Sequence, residues 1–154
     1  MRVALLQGGR SLERGVSLRS GQRVSEALRD LGHEVVAMDL GPDLVSRLES
    51  SRPDVAFIAL HGTEGEDGTV QAMLELLGIP YTGPGVAACQ RCMDKSLAKY
   101  ILREHGLPTP DWVTYSEAGI RDFGAASTFG TAVRRVGLPL VAKPASQGSS
   151  LGVK

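Results

Sequence analysis

The chain is poor in cysteine: Cys89 and Cys92 are the only two among 154 residues. A disulfide scaffold is therefore excluded, and a reducing compartment fits better. Aromatic residues make up only 5%, too few for stacking platforms that grip bases or sugars to dominate. Neither sign of charge is in excess, since 17 Lys+Arg face 17 Asp+Glu for a formal net charge of +0. A protein built to neutralise nucleic-acid phosphates would carry a basic surplus, so no nucleic-acid partner is expected. The opening apolar run, Val3 to Leu6, is far too short for a signal sequence or a membrane span. No membrane partner is expected, and the chain reads as a soluble cytoplasmic protein. Internal repeats and low-complexity tracts are lacking too.

What is present is 42% hydrophobic residues, enough for a core, with 19 Gly and 8 Pro placed between the apolar runs. Arg2 to Leu6 reads as a buried strand entering a glycine-rich turn. Ser20, Val24, Ala27, Leu28 and Leu31 then recur at helical spacing, with Gly32 at the helix C-terminus. Glu34 to Leu40 predicts a second strand, Leu44 to Ser50 a short helix, and Val55 to Leu60 a third strand. Gly68 to Leu77 is helical with Val70, Met73, Leu74 and Leu77 on one face, and Ile79 to Tyr81 is a short fourth strand. Alternating strands and helices imply an open parallel α/β sheet with its ligand side at the strands' carboxyl ends. Thr82-Gly83-Pro84-Gly85 marks a boundary between a domain of residues 1–85 and a second of residues 86–154. Helices are expected over Val86 to Cys92, Lys95 to His105 and Thr131 to Val136, with strands over Trp112 to Tyr115 and Leu138 to Pro144. Ser116 to Gly130 has weak periodicity. The chain stops two residues after a glycine loop, Ala145 to Gly152, and reads as truncated.

Five segments are candidates for chemistry. In the loop after the first strand the glycines fall at 8, 9 and 15, whereas a dinucleotide fingerprint needs G-x-G-x-x-G. Asp39 does sit where an NAD-binding acid would lie, but the spacing argues against an NAD-dependent oxidoreductase. Glu13 fits either a ligand contact or a helix-start acid that favours the dipole. His61-Gly62-Thr63-Glu64-Gly65-Glu66-Asp67-Gly68 packs one imidazole and three carboxylates into eight residues. Carboxylates bind an ammonium group, and an imidazole orients one of them, so His61 and Glu66 are read as ligand contacts and Asp67 as a cap for the next helix. No second His lies one helical turn away, which excludes a zinc-protease pattern. Cys89 and Cys92 lack both further zinc ligands and a redox context, and read as small residues packing a helix. Asp94 sits in a cap position before Lys95. Lys143 ends an apolar run and precedes Ser146-Gln147-Gly148-Ser149-Ser150-Leu151-Gly152. Glycines that let amides converge, hydroxyl donors and a lysine point charge have the composition of a phosphate cradle. It is not a Walker A loop, because no Gly-Lys pair is followed by Ser or Thr.

Together, Gly8-Gly9 with Ser11-x-Glu13-Arg14-x-Val16-Ser17, His61-Gly62 with Gly65-Glu66-Asp67-Gly68, Tyr81-Thr82-Gly83, Met93-Asp94-Lys95, and Lys143-Pro144 with Gly148-Ser149-Ser150-x-Gly152 resemble the D-alanine–D-alanine ligases. These are ATP-grasp enzymes of peptidoglycan precursor synthesis. Gly15 and Gln147 depart from the family's usual residues there. The resemblance implies an N-terminal pre-ATP-grasp α/β domain followed by the start of an ATP-grasp domain. It implies ATP-dependent joining of two D-alanines through an acyl phosphate, with ATP and Mg²⁺ as cofactors and a homodimer as the assembly. By matching position, Glu13 would bind the ammonium of the first D-alanine and join a relay with Ser149, and His61 and Glu66 would support that substrate end. Lys95, Lys143, Ser149 and Ser150 would hold the ATP phosphates. Metal ligands, an oxyanion-stabilising arginine, the adenine pocket and a relay tyrosine would lie after Lys154, so the chain alone is expected to be inactive, with no metal site of its own. A D-alanine–D-lactate ligase, an NAD-dependent oxidoreductase and a non-catalytic binding module are the alternatives.

Overall fold

The structure, a computed structural model, describes all residues from Met1 to Lys154. It divides into two compact units, Met1–Cys92 and Met93–Lys154. The first contains β1 (Arg2–Gln7), α1 (Arg14–Asp30), β2 (Glu34–Asp39), α2 (Leu44–Ser51), β3 (Val55–Ile58), α3 (Thr69–Leu76) and α4 (Val86–Met93, whose last residue opens the second unit). Helix α4, which follows the glycine–proline turn at 82–85, thus groups with the sheet. No helix is long and apolar enough to cross a membrane.

All three strands are parallel, in the order β2-β1-β3. β1 lies at the centre because Val3-Ala4-Leu5-Leu6 is apolar on both faces, as a parallel strand covered by helices must be, and all four residues are buried. Alternation along the strand sends Ala4 and Leu6 to one face. There they join Met38, Ala56, Leu44 and Leu48 of α2, and Val70 and Leu74 of α3 in a single core. The other face receives α1. Its buried residues are Ser17, Gly21 and Ser25, four apart and therefore on one side of the helix. Of the residues whose spacing marked this helix, Ser20, Val24 and Leu28 are half-buried, Ala27 is exposed and Leu31 is 73% exposed, so none is fully buried. Small residues take the buried places because the helix lies close to the strand. A Cβ on Gly21 would stand 2.9 Å from Gln7 Cβ, so only glycine fits.

The expected fourth strand is reduced to one parallel bridge, Ala56 to Tyr81, made by Ala56 N–H donating to Pro80 O at 2.8 Å and Thr82 N–H to Ala56 O at 3.1 Å. Pro80 has no amide to extend the ladder.

The second unit contains α5 (Lys95–Glu104), α6 (Glu117–Phe123) and α7 (Ala125–Val136). Asp94 caps α5 as expected, its carboxylate accepting from the amides of Ser96 and Leu97 at 2.8 and 3.0 Å. The helix expected over Thr131 to Val136 starts six residues earlier, and α6 fills the segment that lacked periodicity. Neither Trp112 to Tyr115 nor Leu138 to Pro144 forms a strand. The second has a single laddered residue, Ala142, which exchanges both backbone hydrogen bonds with Lys154 at 3.0 and 2.9 Å. An apolar run without a neighbouring strand has nowhere to spend its other amides and carbonyls, so it stays irregular.

Candidate functional site

In the order β2-β1-β3 the chain runs from β1 outward to β2, then returns to the far side of β1. The switch point lies between β1 and β3, where open α/β sheets bind their ligands. Two loops meet there: Gly8 to Glu13 after β1, and Ala59 to Gly68 after β3.

Three serine-centred hydrogen-bond sets lock these loops together. Ser17 is fully buried on α1, and its hydroxyl accepts the Gly8 amide at 2.9 Å while donating to Ala59 O at 2.7 Å. Ser11 donates to His61 O at 2.7 Å and accepts the Glu13 amide at 3.1 Å. Ser20 Oγ lies 3.1 Å from His61 Nε2. Glu13 is thereby laid against Gly62, whose φ is +73°; a Cβ at Gly62 would come within 2.6 Å of Glu13 Oε2. On the other ring edge, His61 Nδ1 stands 3.7 Å from Glu66 Oε1. The structure thus brings Glu13, His61 and Glu66 into one cluster within the first unit, with their carboxylates and the imidazole partly open to solvent.

The other charges of these loops have partners already. Arg10 pairs with Glu64 at 2.8 Å. Asp67 is expected to cap α3, but the N-cap is Gly68 and no side chain caps it. The Asp67 carboxylate, one residue earlier, accepts from the amides of Glu64 and Thr69 at 3.0 and 2.9 Å. Burial pushes the Asp67 carboxyl up, but these donors outweigh it and hold it below the usual carboxylate range. Asp39, where an NAD-binding acid would sit, is occupied as well. It takes both guanidinium nitrogens of Arg14 and the Gly9 amide at 3.0 Å. The Arg14 hydrogen bond holds its carboxyl below the ordinary range against the opposing effect of burial. A carboxylate so engaged has little left to offer a ribose, which weighs against the oxidoreductase alternative.

The second unit holds a separate cavity of about 180 Å³ lined by Lys95, Lys143, Gly148, Ser149 and Ser150, among others. The loop is closed at its base by the Ala142–Lys154 pair. It is stitched inside by Lys95, whose ammonium donates to Gln147 O and to Ala145 O, the latter at 3.4 Å. Lys143, expected within a strand, lies exposed on an irregular segment, and its ammonium makes no hydrogen bond or ion pair to protein. Ser149 and Ser150 have φ of +52° and +60°. Two successive non-glycine residues in the left-handed region are uncommon and cost on the order of 1–3 kcal/mol each. Such strain is retained where a loop must aim its amides. Sequence reading did not single out Lys99, which donates to Thr109 Oγ1 and Pro110 O at 3.0 and 2.7 Å and lies 5.1 Å from the Trp112 ring centroid. Burial first, and then Lys143, push its ammonium below the usual lysine range. Ser11, Ser17 and Ser20 were missed as site residues too. Nothing beyond their positions beside the two loops marks them in the sequence.

Nowhere does the chain gather three or more His, Cys, Asp or Glu in a group able to hold a metal ion.

Comparison with known proteins agrees with this layout. The family model described as D-ala D-ala ligase N-terminus matches residues 44–84, and that described as D-ala D-ala ligase C-terminus matches residues 101–154. A D-alanine–D-alanine ligase of Anaeromyxobacter dehalogenans is 48% identical over 152 residues, covering 99% of this chain and 47% of the relative. That of Aquifex aeolicus is 46% identical over 154 residues, covering 100% and 50%. The crystal structure of the Bacillus anthracis enzyme superposes with a TM-score of 0.81 at 40% identity, covering all of this chain and 48% of that one. Its complex with ATP gives 0.78 at 37% identity, covering 99% and 50%. The chain spans about half the length of the curated relatives it matches. On these matches and this fold, the chain belongs to the ATP-grasp family of D-alanine–D-alanine ligases.

Proposed function

We propose that this sequence serves an ATP-dependent ligase that joins two D-alanines for peptidoglycan precursor synthesis. The observation that carries the reading is the cavity of the second unit, where Lys95, an unpaired Lys143 and the Gly148–Ser150 loop converge. In the reaction, the carboxylate of one D-alanine attacks the γ-phosphorus of ATP, ADP leaves, and an acyl phosphate forms. The amine of the second D-alanine attacks that carbonyl, and phosphate departs through a tetrahedral intermediate. Two anions must approach each other in the first step, so cations and amide donors have to offset their repulsion. Lys143 and Lys95 supply the charge, and Ser150 with the loop amides closes over the phosphates. Ser149 contributes its hydroxyl to the same chemistry. In the first unit Glu13 takes the ammonium of the first D-alanine, and His61 and Glu66 support that end.

The test is a double dissociation in an enzyme of full family length carrying these residues. Glu13→Gln removes a charge-assisted contact and should raise KM for the first D-alanine about ten- to hundredfold, leaving that for ATP near wild type. Lys143→Ala should do the reverse. Equal loss of both substrates in both variants overturns the assignment. Product analysis with D-lactate offered beside D-alanine separates the ligase from its depsipeptide-forming alternative.

A further inference from the structure

Several hydroxyls on the helices of this chain return their hydrogen to their own helix. Ser50 donates to Ser46 O at 2.7 Å, Thr128 to Gly124 O at 2.8 Å and Thr131 to Ser127 O at 2.9 Å, the usual resting place for a hydroxyl in such a position. Ser20, in the middle of α1, does not. It makes no bond to Val16 O, four residues back, and its one partner is His61 Nε2 at 3.1 Å. Either member of that pair can donate, depending on the tautomer; when Ser20 donates, the ring nitrogen that accepts carries no proton of its own. The neutral imidazole must then hold its proton on Nδ1. That edge faces Glu66 Oε1 at 3.7 Å, and an acceptor-only carboxylate favours an N–H there. Glu66 thus selects the tautomer in which Ser20 donates.

We propose that Ser20 is a positioning residue for the candidate site: its O–H holds His61 as the Nδ1–H tautomer with that N–H turned toward Glu66. The tautomer assignment stands on geometry alone. Its consequence for substrate rests on the reading of this cluster as the first D-alanine end. Without Ser20 the ring loses the contact that fixes its rotation, and the Glu66 carboxylate loses a fixed donor. Orientation of a histidine by the partner of its second nitrogen is a general device of polar sites.

The experiment measures two-bond ¹H–¹⁵N correlations of the imidazoles in the ¹⁵N-labelled chain at about pH 8, where an ordinary histidine is neutral. His105 is an internal reference, because its Nδ1 faces the Ile101 carbonyl at 2.9 Å and must be a donor. Wild-type His61 should show the same Nδ1–H pattern. Ser20→Ala should move the His61 tautomer ratio about two- to tenfold toward Nε2–H while His105 stays put, and Ser20→Thr, which keeps the hydroxyl, should restore it. An Nε2–H pattern in the wild type, or no change in Ser20→Ala, overturns the proposal. In the family-length enzyme, Ser20→Ala should raise KM for the first D-alanine about two- to tenfold with KM for ATP unchanged. If His61→Gln impairs D-alanine use and Ser20→Ala does not, the positioning role is overturned while the site reading survives. If neither variant matters, the site reading itself falls, whatever the tautomer.

Discussion

At the scale of single residues, the arrangement depends on a few polar side chains that each hold two backbones. Arg14 and Asp39 are the clearest instance. Arg14 opens α1 directly after Glu13, and its guanidinium reaches Gly9 O at 3.0 Å as well as the Asp39 carboxylate. The pair therefore fixes the glycine turn from which Glu13 projects. Its pH signature follows from Asp39, whose folded pKa lies below the unfolded value of 3.8 chiefly through the Arg14 hydrogen bond. A carboxyl with a depressed folded pKa adds stability above its unfolded pKa and loses that contribution as pH falls through the folded one. Asp39→Asn keeps the shape and removes the charge. It should lower Tm at about pH 7, and the gap from wild type should close on descending from about pH 5 to about pH 2. Thermal melts of the two chains across that range decide it. A gap that stays constant with pH would mean the charge contributes nothing and that the asparagine merely packs worse.

At the scale of elements, two glycines in helices have opposite parts. Gly21 of α1 faces Gln7 so closely that a methyl group would meet the Gln7 side chain at 2.0 to 3.0 Å. Gly130 of α7 has only the tip of Arg134, at 3.5 Å, near the place a Cβ would occupy. Alanine is favoured over glycine in a helix by about 1 kcal/mol. Gly130→Ala should thus stabilise by about 0.5–1 kcal/mol, whereas overpacking in Gly21→Ala should reverse the sign and cost about 1–2 kcal/mol. Urea melts that found both substitutions stabilising would refute the close contact of α1 with β1. That contact also explains what could and could not be read from the sequence. β1, β2, β3, α2 and α3 were legible because burial on two faces, or on one helix stripe, writes a periodicity. The start of α1 and its buried stripe were not, because tight packing selects Ser17, Gly21 and Ser25 over leucines and mimics a polar surface. α7 begins after Gly124 with no capping side chain and is crossed by Gly130, so it lacks both a start signal and an unbroken pattern. Within the candidate site the charged residues were visible as a cluster. Ser11, Ser17 and Ser20, which join the loops to one another, were not, since a hydroxyl that bridges two backbones has no signature beyond its position.

At the scale of the molecule, burial is distributed unevenly between the two compact units. Every buried residue lies in the first, from Val3 to Cys89, and from Met93 onward none is buried. The second unit keeps its apolar side chains in the open, with Phe123 at 80% and Phe129 at 57% exposure. A fold is cooperative where apolar surface is withdrawn from water in one contiguous cluster, at about 25 cal/mol for each Å². The core around Ala4, Leu6, Met38, Leu48 and Leu74 meets that condition, and the helices α5 to α7 do not. Residues 1–92 made alone should therefore unfold in one urea transition with a slope of about 1 kcal/mol per M, as small domains do. The β1 amides should be the slowest to exchange with deuterium, since Ala4, Leu5 and Leu6 are all 0% exposed. Residues 93–154 made alone should show helical signal that fades gradually with urea, without a baseline-separated transition, and little protection of its amides. The two outcomes are coupled through one cause, the location of buried apolar area. A sharp transition in 93–154, or its absence in 1–92, would show that the stability of this chain resides somewhere other than in the sheet and its two covering layers.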